Sequence, residues 1–264
     1  MCLILIAHRA DLRYPLVVAS NRDEFFARPT LPADYWRDAT HVLGGRDLEK
    51  GGTWMGVTKD GHWAAVTNFR DGAKPAPGAR SRGELVARYL IEPVPPRAYV
   101  SSVLQIAGEY AGFNLLAGSR DELHYLSNKD NAPRRLDPGI YGLSNGLLDA
   151  PWQKVQRGKR ALRNALAGSE QADQLVDTLL TALADRDTAE DNALPSTGIS
   201  RDWESRLSAV FIHAPGYGTR ASTVLVVARD GEVHYRERSF DENGKPAEDR
   251  TYLFCTPVSF AAAD

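Results

Sequence analysis

The sequence has few cysteines, little net charge and no long apolar run, and each shortage excludes a class of protein. Two cysteines in 264 residues, Cys2 and Cys255, are too few for a disulfide framework. One bridge between the chain ends stays open, but a reduced, cytoplasmic protein is the expectation. No run approaches the ~18 apolar residues that span a bilayer, so we expect no transmembrane segment. A formal net charge of −2, without a dense basic run, argues against nucleic-acid partners.

Metal-ligand and phosphate-loop patterns are also missing. The six histidines are scattered without a helix-spaced pair, and the sequence has no Cys-x-x-Cys. The glycine pairs at 44–45 and 51–52 lack the Lys-Ser/Thr of a P-loop. We therefore expect no dedicated metal site and no cofactor.

Apolar runs and paired helical patterns alternate along the chain. Strand-like runs cover residues 3–8, 16–20, 53–58, 62–68, 113–117, 122–127, 140–144, 209–213, 223–228 and 233–238. One helical pattern starts where Ser81 and Glu84 have capping-box spacing, and the next follows Pro95-Pro96. Two more cover residues 152–167 and 175–184. The order is thus strands, helix pair, strands, helix pair, strands.

This order predicts an α+β fold in which two antiparallel sheets pack face to face between helices. Such a four-layer αββα sandwich uses every segment, although the order alone also fits a generic α+β fold. The linker candidates, residues 73–79 and 185–200, separate no two self-sufficient cores. We therefore expect a single domain over residues 1–264.

Cys2 is the residue whose type and position indicate a specific chemistry. A cysteine at this position permits removal of Met1, which would leave a thiol and a free α-amine on one residue. An α-amine with a pKa of ~7.7–8.0 is partly unprotonated at neutral pH and can act as a base toward the thiol. The alternative is a small apolar residue in the core of a first strand.

Polar residues at positions 21–24 follow the second apolar run, and they favour the nucleophile interpretation of Cys2 over the core-residue interpretation. If the first two strands are antiparallel neighbours, the end of the second lies beside the start of the first, which brings this segment close to Cys2. Arg22 is then the first candidate for stabilising a thiolate. The alternative is a solvated turn after a strand.

Cys2 together with Asn21, Arg22, Asp23 and Glu24 resembles the NRDE family, also called the transport-and-Golgi-organization type. More remotely, the chain resembles choloylglycine hydrolases and penicillin V acylases, which are N-terminal-nucleophile hydrolases with the αββα fold. It departs from the acylases at Ser20, where they carry an arginine.

The resemblance implies a set of site residues. Cys2 matches the nucleophile, Asp23 the aspartate beside it, and Asn68 the oxyanion-hole asparagine. Asn145 and Arg220 resemble the second asparagine and the late arginine of that site. The expected substrate-binding residues are Asn21, Arg22, Phe69 and Trp54, the aromatic pair as part of an apolar acyl pocket.

Two functions are compatible with these residues. The first is a cysteine hydrolase that cleaves a small amide or acyl thioester through a thioester intermediate. The second, which the resemblance also implies, is binding and trafficking of haem, acyl-CoA or lipid without catalysis on the same fold. The expected partner is a small molecule in either case, and a homo-oligomer is left open.

Overall fold

Two antiparallel sheets pack face to face in the computed structural model, which describes residues 2–72 and 79–257. The strands are β1 (Cys2–His8), β2 (Leu16–Phe25), β3 (Thr30–Tyr35), β4 (Val42–Asp47), β5 (Met55–Thr58), β6 (Trp63–Asn68), β7 (Phe113–Gly118), β8 (Leu123–Ser127), β9 (Arg134–Arg135), β10 (Gly139–Leu143), β11 (His213–Ala214), β12 (Tyr217–Val227), β13 (Glu232–Phe240) and β14 (Pro246–Cys255). The helices are α1 (Gly83–Ile91), α2 (Pro96–Gln105), α3 (Gln153–Gly168), α4 (Ala172–Leu183) and α5 (Arg201–Arg206), with 3-10 turns at Ala107–Glu109 and Asp191–Ala193.

The first sheet has the order β10-β1-β2-β12-β13-β14, with β11 paired to β12, and the second runs from β3 to β9 in sequence order. Three apolar layers hold these elements together. Ile4 and Ile6 lie in the layer between the sheets, whereas Leu3 and Leu5, which alternate with them, pack toward α3 and α4. A third layer joins the second sheet to α1 and α2. The αββα prediction is confirmed.

The outer end of β2 differs from the sequence-based expectation. The strand was predicted to end at residue 20, but it continues to Phe25 and includes the polar residues that resemble the NRDE motif. The continuation forms because β12 pairs along this end, with Thr219 opposite Asp23 and Gly218 opposite Glu24. The backbone therefore keeps its ladder where the apolar side chains stop.

Several local predictions were wrong. α1 begins at Gly83, and Arg82 precedes it without a side-chain cap, so Ser81 and Glu84 form no capping box. Residues 209–212 are buried but form no strand; Phe211, for example, donates its N–H to the loop carbonyl of Asp185. β3, β4 and β14 were missed, the last because an exposed, charge-rich edge strand lacks an apolar alternation.

Two sequence-based predictions fall on residues outside the described ranges. The first concerns Met1, whose removal was predicted. The second concerns the linker candidate 73–79, of which only Ala79 is described. Within the described ranges, no helix has the length and apolar character needed to cross a membrane.

Candidate active site

Cys2 lies at the outer end of β1 and opens on a cleft of about 270 Å³. Its register partner on β2 is Arg22, and its backbone carbonyl accepts a hydrogen bond from the Ser144 hydroxyl at 2.9 Å. Like Ile4 two residues later, its side chain is on the face of the first sheet that looks toward the second. The thiol is therefore held on a rigid inner strand at the edge of the space between the sheets.

Both sheets contribute walls to this cleft. Arg22 comes from the first sheet, Asn68 from the end of β6 in the second sheet, and Trp54 from the segment before β5. The Arg22 guanidinium stacks over the Trp54 ring at 4.1 Å and donates to the Thr30 hydroxyl at 3.2 Å. Two of the predicted substrate-binding residues, Arg22 and Trp54, thus meet beside Cys2.

The protonation of the Cys2 thiol reflects its burial. Only 9% of the residue is exposed, and burial raises the pKa of the thiol above its ordinary value, with the negative charge of Asp23 acting in the same direction. The backbone N–H of Asp23 and the positive charge of Arg22 lower it, as the sequence suggested for Arg22, but burial outweighs them. The neutral thiol is the resting form in this arrangement.

Asp23 is directed to the other face of β2. Its carboxylate accepts a 2.7 Å hydrogen bond from the Thr219 hydroxyl, and its backbone carbonyl accepts one from the Tyr217 hydroxyl at 3.0 Å. Only 1% of the residue is exposed, and burial raises the pKa of its carboxyl, while the positive charge of Lys154 lowers it. Asp23 also borders the cleft, and both its charge and its backbone N–H act on the Cys2 thiol.

Lys154, in the first turn of α3, is a charged residue that the sequence analysis missed. It is 1% exposed, and within residues 2–72 and 79–257 its ammonium nitrogen has no hydrogen-bond partner. Burial lowers the pKa of this lysine to about 8, with the charge of Asp23 opposing the shift. The signal was its spacing: Lys154 is four residues before Gly158 and eight before Leu162, on the buried face of the helix.

The two predicted oxyanion-hole asparagines are neighbours with different exposures. Asn68 borders the cleft, and its backbone carbonyl accepts a 2.8 Å hydrogen bond from the Asn145 side-chain amide. Asn145 is fully buried, and its own carbonyl accepts the Arg70 N–H at 2.7 Å. Asn68 therefore lines the same cleft as Cys2, and the Asn145 side chain holds the end of β6.

The other predicted site residues, Asn21, Arg220 and Phe69, are not among the described residues that line the cleft. Asn21 is fully buried and donates to the carbonyls of Leu183 and Val210 at 2.9 and 2.8 Å. Arg220 donates through Nη1 to three carbonyls at the end of β2 and in the turn that follows it, and it borders a neighbouring cavity of about 150 Å³. The Lys129 ammonium lies over the Phe69 ring, 5.7 Å from the centre of the ring.

Comparisons with known proteins show which family this chain matches. The model of the Transport and Golgi organisation 2 family (TANGO2) matches residues 1–242. The human Transport and Golgi organization protein 2 homolog is 37% identical over 258 residues, covering 91% of this chain and 92% of that protein. Transport and Golgi organization protein 2 of Drosophila melanogaster is 30% identical over 266 residues, covering 90% and 92%.

Solved structures with a similar course of the chain include two hydrolases. The Caenorhabditis elegans ortholog of N-acylethanolamine-hydrolyzing acid amidase has a TM-score of 0.48 at 10% identity, covering 85% of this chain and 92% of its own. A mutant of the conjugated bile acid hydrolase from Clostridium perfringens has a TM-score of 0.47 at 9% identity, covering 99% and 100%. The sequence relatives and the matched family model identify the chain: it belongs to the TANGO2 family, of which NRDE is another name, as predicted from Cys2 and residues 21–24.

Proposed function

We propose that this protein is a cysteine hydrolase that cleaves a small amide or acyl thioester with Cys2 as nucleophile. The observation that carries the proposal is the position of the Cys2 thiol, at the end of a rigid inner strand and on the same small cleft as Asn68. A nucleophile and a neutral amide donor on one cleft are the minimum set for acyl transfer.

The reaction has two balanced steps. The Cys2 sulfur loses its proton and attacks the substrate carbonyl, and the leaving amine or thiol takes up a proton as the thioester forms. Water then attacks the thioester, which releases the carboxylic acid and returns the thiol. The Asn68 amide is the proposed donor to the oxyanion in both steps, and a free α-amine on Cys2, once Met1 is removed, is the proposed base.

The buried charges behind β2 have a supporting role in this proposal. The backbone N–H of Asp23 lowers the pKa of the Cys2 thiol, which favours the thiolate. Thr219 holds the Asp23 carboxylate on the far side of the strand, so the position of this N–H depends on that buried bond. Asp23 is therefore proposed as a positioning residue.

One observation favours the second candidate, binding of a haem, acyl-CoA or lipid ligand without turnover. Burial raises the pKa of the Cys2 thiol, and a thiol in its neutral form is a weak nucleophile. A protein that only binds its ligand has no need of a thiolate, whereas a hydrolase must lower this pKa after processing or substrate binding.

Acylation of Cys2 separates the two candidates. The protein is incubated with a short acyl thioester, and intact mass and peptide mapping follow the acyl group on Cys2 and the acid released. We expect a transient acyl adduct on Cys2 and turnover that falls by three orders of magnitude or more in Cys2→Ala, as when other nucleophiles are removed. Cys255→Ala is the matched control, because Cys255 is exposed on β14. Full activity in Cys2→Ala would refute the proposed mechanism.

A further inference from the structure

The cleft beside Cys2 is lined by more basic than acidic side chains, and their pairing is uneven. Arg28 is bound to Asp47 at 2.7 Å and to Glu49 at 3.4 Å. Arg80 is bound to Glu84 and, at 2.7 Å, to Glu109. These two arginines already have their counter-charges, so they leave little net charge for a ligand.

Three other basic residues on the cleft have no such partners. In the part of the chain that the structure describes, no carboxylate lies within ion-pair distance of Arg22, Arg82 or Lys50. The acidic residues on the cleft are Asp23, Glu24 and Asp47. Asp47 is bound to Arg28, and the Asp23 carboxylate accepts the Thr219 hydroxyl. The Glu24 carboxylate accepts the backbone N–H of Phe25 at 2.9 Å, and its charge acts on Arg22 and Arg82 from beyond ion-pair distance. The unpaired charges on the cleft are therefore mostly positive.

With the described residues as partners, Arg22 and Arg82 use few of their hydrogen-bond donors. A guanidinium has five N–H donors. Arg22 donates to Thr30 and Arg82 donates to the Gly112 carbonyl, both at 3.2 Å. Arg22 is 5% exposed, and removing a cation from water without a counter-ion costs free energy that a bound anion would offset. Both arginines border the same cleft as Cys2, so an anion there would lie beside the thiol.

Two glycines keep Arg82 in this position. A Cβ on Gly52 would be 2.4 Å from the backbone of Gly83, and the N–H of Thr53 donates to the Gly83 carbonyl at 3.2 Å. The segment before β5 is thus packed directly against the start of α1, where Arg82 precedes the first helical residue. The positive end of α1 faces the cleft in the same place and adds to the attraction for an anion.

We infer that the substrate of Cys2 carries an anionic group, a carboxylate or a phosphate, that Arg22 and Arg82 bind beside the scissile carbonyl. The inference rests on the proposed function in one respect: it describes what occupies the cleft of a Cys2 hydrolase. It adds the charge of the substrate, which neither the fold nor the family determines.

Alkylation of Cys2 tests the inference without requiring turnover. Iodoacetate and iodoacetamide have nearly the same size but differ in charge, and in both reactions the thiolate forms an S–C bond as iodide leaves. The ratio of their rate constants at one thiol cancels the fraction of thiolate. Cys255, exposed on the same chain, gives the reference ratio.

We expect the iodoacetate-to-iodoacetamide ratio at Cys2 to exceed the ratio at Cys255 by about tenfold, the lower end of electrostatic focusing in a charged cleft. Arg82→Gln should remove most of this excess, and added salt should reduce it. Arg97→Gln, which removes the same charge from an exposed position on α2, should leave it unchanged. Equal ratios at Cys2 and Cys255 would overturn the inference.

Competition on the unmodified protein keeps the test decisive if Arg82→Gln does not fold. Inorganic phosphate and acetate are compared as protectants of Cys2 against neutral iodoacetamide. Protection by phosphate at lower concentration identifies a phosphate group, and the reverse order a carboxylate; protection by neither overturns the inference. A protein that shows the charge preference but no thioester turnover would retain the anion site and refute only the hydrolase.

Discussion

At the outer end of β2, the polar side chains on the two faces of the strand lie in different environments. On the face toward the second sheet, Arg22 borders an open cleft beside Cys2 and stacks on Trp54. On the face toward the helices, Asp23 and Asn21 are sealed, with hydrogen bonds to Thr219 and to backbone carbonyls. Strand alternation divides one continuous polar motif between two environments.

This division separates ligand contact from support. A side chain on the open face can meet a substrate directly, whereas one on the sealed face acts through the backbone and through its neighbours. Arg22 and Asp23 are adjacent in sequence, yet a substitution at either should change different quantities. The variants below test that separation.

The largest expected effect is at Asn68, which borders the open cleft from the end of β6 in the second sheet. If its amide donates to the oxyanion, Asn68→Ala should lower the turnover number by about 10²–10³, the usual cost of one such donor. Asn145→Ala is the comparison variant, because Asn145 is buried and donates to the Asn68 carbonyl. We expect its main effect on thermal stability. Equal turnover in Asn68→Ala and the unmodified protein would remove Asn68 from the proposed mechanism.

Lys154 gives the next effect, which depends on pH. Its pKa is about 8 in the folded protein and near 10.5 when unfolded, so between these values the unfolded chain holds a proton that the folded protein has released. Below pH 8 the folded protein must bury a charged lysine, which lowers its free energy of unfolding. This loss disappears as the pH rises from 8 toward 10.5. Relative to Lys154→Met, the free energy of unfolding should rise by about 3 kcal/mol from pH 7 to pH 10.5.

Denaturant unfolding at several pH values measures that difference. The exposed Lys245→Met is the control, and its curve should run parallel to that of the unmodified protein. A parallel curve for Lys154→Met as well would contradict the buried-lysine interpretation.

The smallest effect is expected on the sealed face, at Asn21. Asn21→Ala leaves the carbonyls of Leu183 and Val210 and the Ser222 hydroxyl without their partner, which should cost about 1–3 kcal/mol of stability. The alkylation ratio at Cys2 should stay unchanged, because Asn21 does not face the cleft. A changed ratio at unchanged stability would assign Asn21 to ligand binding instead.

Much of the fold follows from the sequence because apolar alternation is strong where strands are buried. Residues 3–8 and 16–20 predicted the antiparallel pair that brings Arg22 opposite Cys2. The pattern failed at β14, whose charged side chains are those of an exposed edge. It also failed at the outer end of β2, where pairing with β12 rather than side-chain character decides the strand.

The sequence predicted part of the wall of the cleft beside Cys2. Cys2, Arg22, Asn68 and Trp54 meet at the cleft, but the face that each strand residue occupies requires the register. Arg82 was hidden by an apparent capping box, since its position comes from the contact between Gly52, in the segment before β5, and Gly83 at the start of α1. Lys154 was detectable from helical spacing, although its proximity to Asp23 depends on tertiary packing.

The cleft with walls from both sheets has a thermodynamic consequence. An occupant that touches Arg22 on the first sheet and Asn68 or Trp54 on the second must be released before the sheets can separate. Its binding free energy therefore adds to the stability of the whole sandwich, by about 2.7 kcal/mol at a ligand concentration of 100 Kd. The melting temperature of the intact chain consequently reports occupancy, and a panel of anionic acyl compounds can be ranked by it before any reaction is known.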